Sequence, residues 1–284
     1  MLNSVVQGIL LGGLYALFAA GLTLVFGVMR IVNLAHGDLI ILAAYLTLLL
    51  VDVTGLSPLL LAPVVAAVMG AIGYALQRGI LNFTVGSGLL PPLIVTFGVS
   101  IVIQNALQQG FTADTQGLDA GRIELASLRI GTVTVGWFPL LTFVLAVVLV
   151  AGLQLLFART ATGRAFRAVS GDIEAARLMG IRTGHVFALA TAVAALVVGI
   201  AGVVLGIRTQ FEPSLGPARL IFAFEAVIIG GLGSLWGTLV GGVILGVAQN
   251  VGAFLSPGWR ELAGHLVFLV VLGFRPQGLF GRVE

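Results

Sequence analysis

Long apolar runs separated by short polar breaks set the pattern of this chain. The runs cover residues 5–29, 38–51, 58–77, 90–109, 136–157, 185–207, 219–232, 237–255 and 261–274. A helix rises about 1.5 Å per residue, so runs of roughly 20 residues match a hydrocarbon layer about 30 Å thick. The alternating segments of roughly 10 residues that a membrane barrel requires are absent. Continuous apolar stretches must satisfy their backbone groups internally, and they predict helices. The segment IIGGLGSLWG, residues 228–237, interrupts the pattern late in the chain. It divides either two spans or one long, broken and tilted element, so eight and nine spans both stay open. The expectation is an all-α, polytopic transmembrane helical bundle with broken helices. No linker or low-complexity tract divides it, and residues 1–284 read as one transmembrane domain.

Composition agrees and narrows the function classes. The chain is 59% apolar and 9% charged, against about 25% charged for soluble domains. A soluble exterior cannot be built from it. Among its 40 glycines, Gly8 and Gly12, Gly202 and Gly206, Gly233, Gly237 and Gly241, and Gly242 and Gly246 recur four apart. That spacing puts small residues on one helix face and lets helices approach closely. With no Cys there is no disulfide or thiolate site. All 14 basic residues are Arg, so the Lys of a nucleotide-binding Walker A loop is missing. If ATP drives this protein, another chain must bind it. The start, MLNSVVQG, has no basic residue before the first run and no cleavage site, and reads as a retained span.

Charge gives the orientation. Five of the 14 Arg (Arg159, Arg164, Arg167, Arg177 and Arg182) lie in the loop 158–184 with Asp172 and Glu174. Short basic loops stay in the cytoplasm, which puts the N-terminus outside. Arg30, Arg78, Arg275 and Arg282 then fall inside as well, and Arg122, Arg129, Arg208, Arg219 and Arg260 outside, nine against five. With the Arg at span ends, the net charge of +3 points to membrane orientation and not to nucleic acid. The external loop, residues 110–135, leads into RIELASLRIGTVTVGW, whose weak alternation predicts a small hairpin. Trp137 and Trp259 stand at span ends, as interface anchors do.

Three motifs carry candidate chemistry. In EAARLMG, Asp172 can cap a helix with Glu174 in its first turn, and Gly180 can end it in the left-handed conformation. Ala175, Leu178 and Met179 share one face of this two-turn helix. Two readings stand: an amphipathic helix on the membrane surface, or a knob for a groove on another protein. In IVNLAHGD, Asn33, His36 and Asp38 form a polar break that is a simple turn, a tie across a broken helix, or part of a transport path. In IIGGLGSLWG, Gly230, Gly231 and Gly233 break a helix and expose its end groups, which transporters use for polar solutes. Glu225, just before it, pairs with Arg219 or meets a cationic or amide-bearing solute. Glu212 docks an external protein or is solvated. One His and one Asp supply too few ligands for a metal. No nucleophile–base or paired-carboxylate pattern appears, so no catalytic residue is assigned and the chain is not read as an enzyme.

The string TGRAFRAVSGDIEAARLMGI resembles the cytoplasmic coupling loop of ABC-importer permeases, nearest to the branched-chain amino-acid type that also includes amide and urea importers. The resemblance continues in GLTLVFGVMRIVNLAHGDLIILAAY, in AVIIGGLGSLWGTLVGGVILG and in FRPQGLFG. Glu225 departs from it, at a position where such permeases more often carry an apolar or small residue. The resemblance implies an ATP-driven importer permease in the cytoplasmic (inner) membrane of a bacterium. It further implies a heterodimer with a second permease, two cytoplasmic ATPase subunits that hold ATP and Mg, and an external solute-binding protein. Asp172, Glu174, Ala175, Ala176, Leu178, Met179 and Gly180 would then couple to the ATPase. The candidate path comprises Asn33, His36, Asp38, Glu225, Gly230, Gly231 and Gly233. The rival is a secondary transporter or channel that works without an ATPase.

Overall fold

Each apolar run folds as a helix. The computed structural model describes residues 1–88, 90–131 and 133–281. Its elements begin with α1 (Leu2–Met29), α2 (His36–Thr54), α3 (Pro58–Gly79), α4 (Leu90–Phe111) and α5 (Arg122–Leu125). The hairpin β1 (Ser127–Ile130) and β2 (Val133–Gly136) follows, then α6 (Trp137–Arg159), α7 (Ala161–Gly171) and α8 (Ile173–Leu178). The chain continues through α9 (Thr183–Arg208), α10 (Gly216–Gly230), α11 (Leu235–Leu255) and α12 (Arg260–Phe274). Eight helical segments among the described residues are long and apolar enough to cross a membrane. The 15 residues of α12 make a ninth, shorter helix. This is a multi-pass membrane protein.

The two points left open by the sequence resolve locally. IIGGLGSLWG separates two elements: α10 ends at Gly230, Gly231 adopts φ 103°, and α11 returns antiparallel from Leu235. Gly230 backs directly onto Gly237, where a Cβ would lie 2.2 Å from the Gly237 carbonyl oxygen. The weak alternation before Trp137 does form an antiparallel hairpin, with Ser127 opposite Gly136 and Arg129 opposite Thr134.

Helices α1 and α9 form the centre, with 89% and 72% of their spans buried, against 22% for α4 and for α6. They run antiparallel, with Gly21 against Ala194 and Arg208 Nη1 donating to Leu10 O at 3.5 Å. α1 packs antiparallel on α11, and α9 packs antiparallel on α3. A Cβ at Gly12 would lie 2.4 Å from Val243 Cα, and one at Gly246 would lie 2.4 Å from Gly8 O. The four-residue spacing of these glycines therefore faces two small-residue stripes against each other, as the sequence predicts.

Broken segments near both ends of the sequence fit an internal repeat without aligning residue by residue, and the helix pairings give it an inverted form. In each half a long central helix, α1 or α9, is followed by a return into the bundle, irregular after α1 and ending in a single 3-10 turn at Pro213–Leu215 after α9. A new helix, α2 or α10, then starts inside it. The pairings repeat as well: α1 on α11 and α10 on α1 correspond to α9 on α3 and α2 on α9. Because α1 and α9 are antiparallel, the halves α1–α4 and α9–α12 have opposite topology. The starts of α2 and α10 touch: a Cβ at Gly37 would lie 1.9 Å from Gly216 O.

The arginines that the sequence divides into two groups occupy opposite ends of the bundle. Arg30, Arg78 and Arg275 end helices on the face that carries α7 and α8, with the five Arg of the loop. Arg208, Arg219 and Arg260 line a cavity toward the other face. Arg282 lies outside the described residues.

The crossing of α1 and α11 generates a test. Gly12→Ala should lower stability by about 3 kcal/mol, because the added methyl meets backbone. Gly98→Ala, at a helical position with open space beside it, should be neutral or stabilising by up to about 1 kcal/mol. Thermal midpoints of the detergent-solubilised protein decide between them, and equal midpoints would disprove the tight-crossing account.

Candidate functional site

On one face the chain between α6 and α9 builds two short helices from local chemistry. Thr160 caps α7, its Oγ1 accepting from Gly163 N at 2.9 Å. Phe166 and Val169 are buried and root α7 among the ends of the long helices, with Phe166 5.4 Å from Phe157 between ring centres. Asp172 does two things at once. Its N–H closes α7 on Ala168 O at 3.2 Å, while its Oδ1 accepts from Glu174 N and Ala175 N at 2.8 and 3.0 Å, opening α8. At the other end Gly180 takes φ 80°. Gly180 N donates to Arg177 O at 2.9 Å and Ile181 N to Ala176 O at 3.0 Å, the paired bonds of a Schellman ending.

The predicted cap and ending are both present, around a helix shorter than seven residues. Ala176 is buried against the protein, whereas Glu174 and Ala175 are exposed. Leu178 and Met179 project with 89% and 82% of their surface accessible. A cavity of about 330 Å³ lies between the end of α1 at Val28–Arg30 and residues Val169–Glu174. The separate helix α7 does not follow from the apolar pattern, and Thr160 before Gly163 is the sequence signal that marks its start.

The polar break after α1 is a set of ties. Arg30 ends α1 in the left-handed conformation, and the chain re-enters the bundle as an irregular segment. Asn33 Oδ1 accepts from Ala35 N at 3.0 Å, and Leu34 N donates to Thr96 Oγ1 of α4 at 3.1 Å. His36 Nε2 donates to Phe18 O in the middle of α1 at 2.7 Å. A carbonyl only accepts, so this nitrogen carries the proton. Asp38 Oδ1 accepts from Gln104 Nε2 at 2.9 Å and lies against Gly216 at the start of α10. An acidic group is well placed there, because unpaired N–H groups give a helix start positive character. Asn33, His36 and Asp38 are all buried, and none lines either cavity described here.

Glu225 takes a partner that the sequence reading did not consider. Its Oε1 bonds His265 Nδ1 of α12, while Oε2 is buried without a partner among the described residues. The suggested pairing with Arg219 is not made. Glu225 stands six residues further along α10, and a helix turns about 600° over that distance, so the two point differently. Gly230, Gly231 and Gly233 form the turn into α11 and make no part of the Glu225–His265 hydrogen bond. The FRPQGLFG segment folds back on this turn: Leu279 N donates to Ile229 O at 2.9 Å and Phe280 N to Gly230 O at 3.0 Å. It thereby satisfies carbonyls that the end of α10 leaves open.

Toward the opposite face a cavity of about 420 Å³ enters the bundle between α1, α9, α10, α11 and α12. Its apolar walls are Leu11, Leu14, Phe18, Leu205 and Phe222, with the Tyr15 ring 5.3 Å from Phe222. Its polar lining includes Arg208, Arg219, Arg260, Gln249, Asn250 and Glu261. The Tyr15 hydroxyl donates to Gln249 Oε1. Sequence reasoning counted these three Arg as loop ends and passed over Gln249. The available signal was a polar group inside an apolar run, at Arg219 and at Gln249, because such groups seldom face lipid.

With this geometry in place, comparison with known proteins becomes informative. A family model described as "Branched-chain amino acid transport system / permease component" matches residues 4–274. The high-affinity branched-chain amino acid transport system permease protein BraD of Pseudomonas aeruginosa is 31% identical over 296 residues, covering 100% of this chain and 96% of that protein. LivH of Escherichia coli K12, with the same descriptive name, is 31% identical over 306 residues with the same coverage. A probable branched-chain amino acid transport permease protein LivH of Methanocaldococcus jannaschii is 27% identical over 287 residues, covering 96% of this chain and 90% of its own length. No solved structure gives a significant match. Matched nearly from end to end, this chain belongs to the family of branched-chain amino acid transport system permease components.

Proposed function

We propose that this chain is the permease subunit of an ATP-driven importer that carries a branched-chain amino acid, or a related small polar solute, across the cytoplasmic membrane. The observation that carries the reading is α8. A six-residue helix, fixed at both ends by its own caps, holds Leu178 and Met179 out among five exposed arginines. Two large apolar side chains held so far from their own protein call for a groove on a partner. The relatives' full-length similarity supports the transport role.

In this reading the arginine-rich face is cytoplasmic and the N-terminus is outside. Two ATPase subunits bind ATP and Mg and receive α8, a second permease completes a heterodimer, and a solute-binding protein docks on the outer face. Motion of α8 passes through Asp172 to α7. From there it reaches the ends of the long helices, because Phe166 and Val169 are buried among them. The solute is moved and not chemically changed.

Replacing Leu178 and Met179 together by Asp should leave the protein inserted but lower ATP-dependent uptake at least tenfold, measured in proteoliposomes holding the whole complex. Uptake at the original rate would refute the docking role of α8. Asp172→Ala removes two capping bonds and should destabilise α8 by about 1 kcal/mol. Uptake then falls while ATP hydrolysis continues, and measuring both rates on one preparation gives the ratio. Vesicles containing the permeases without ATPase subunits should show no concentrative uptake under any imposed ion gradient. Gradient-driven accumulation there would favour the secondary transporter instead.

A further inference from the structure

The cavity opposite α7 and α8 has a charge that its own walls do not balance. Arg208, Arg219 and Arg260 line it, with Glu261 as the only carboxylate in the lining. Among the described residues, no carboxylate comes within 4.0 Å of any of these three guanidiniums. Two of the arginines also stand at helix starts, Arg260 as the first residue of α12 and Arg219 as the fourth of α10. Helix starts disfavour cations and favour anions, so helix and side chain add to the same positive field.

Two donors at its wall are buried and have no acceptor among the described residues. Arg219 Nε is one. The other is Nε2 of Gln249, a residue 1% exposed whose Oε1 is already engaged by Tyr15. Buried donors are ordinarily paired, and charges inside a membrane protein ordinarily meet a counter-charge.

We infer that this cavity binds the carboxylate of a small zwitterionic solute. Arg219 supplies a planar fork matched to two carboxylate oxygens, and Arg208 and Arg260 hold the surrounding field positive. Leu14, Phe18 and Phe222 offer an apolar floor to an aliphatic side chain. Glu261 provides the negative group for an ammonium. Urea and neutral amides carry no charge to satisfy the arginines, and the cavity discriminates against them. The inference rests on the permease reading for its place in transport, and it adds the place in the bundle and the residues that hold the carboxylate.

The test uses the complex of this chain with its partner permease and ATPase subunits, without the external binding protein, in detergent free of anionic lipid. Thermal midpoints are followed against L-leucine, isocaproate, isocaproamide, urea and inorganic phosphate. L-Leucine and isocaproate should raise the midpoint, and isocaproamide and urea should not. R219Q should raise the half-saturating concentration of L-leucine about 10- to 100-fold. R260Q, at the exposed rim, should raise it about tenfold and serves if R219Q fails to assemble.

Equal protection by isocaproamide and isocaproate overturns the inference, as does unchanged L-leucine binding in both variants. Phosphate acting as strongly as isocaproate also overturns it, because the cavity would then be a general anion sink such as a lipid phosphate could fill. If carboxylates bind but no branched-chain amino acid is taken up, the substrate in the transport proposal fails and the cavity assignment stands. If uptake proceeds without carboxylate selectivity, the reverse holds.

Discussion

Within lipid, apolar side chains gain nothing by leaving their solvent, so helices must hold together by close contact and internal hydrogen bonds. This chain meets that constraint by bringing backbones together where only glycine fits. Gly8 and Gly12 of α1 lock onto Gly242 and Gly246 of α11, and Gly73 of α3 and Gly199 of α9 make the matching contact in the other half. Those two crossings fix α1 and α9 as the axis of the bundle. The coupling segment at one end and the cavity at the other are both hung from that axis.

The same constraint explains the buried polar residues. A helix that stops and restarts inside the bundle exposes N–H and C=O groups that no lipid can satisfy. On the α2 side Asn33 Oδ1 and Thr96 Oγ1 accept from Ala35 N and Leu34 N, while His36 and Asp38 tie the segment to α1 and α4 through Phe18 O and Gln104. On the α10 side the segment 279–280 covers the last carbonyls. The hydrogen bonds of Asn33, His36 and Asp38 tie the segment between α1 and α2 to the helices around it. Asp38 Oδ2 and Glu225 Oε2 are buried without a partner among the described residues, and the arginines of the cavity are the cations without a counter-charge there.

How much of this the sequence disclosed follows from how far apart the interacting residues are. The α8 caps were legible because Asp172, Glu174, Ala175 and Gly180 interact within eight residues of one another. The apolar runs were legible because each span depends on its own composition. The hydrogen bond of Glu225 joins residues 40 apart, and nothing in Glu225's neighbourhood points to His265. The cavity depends on convergence from five helices, so Arg208, Arg219 and Arg260 read as three unrelated span ends. The repeat was legible only as broken segments near both ends, for a different reason. It is conserved as backbone direction and helix pairing, and its two breaks, around Asn33 and around Pro213, share no residue pattern.

The contacts at the two ends of α10 carry a further consequence. Gly216 is pressed against Gly37 and Asp38, and Gly230 against Gly237, so neither end has room to slide. Between them α10 carries Arg219 toward the cavity and Glu225 toward α12. Each residue turns a helix by about 100°. One residue inserted or removed within α10 would therefore swing one of these side chains a quarter turn or more away from its partner. With both ends pinned, the 15-residue count of α10 is a fixed dimension of the protein.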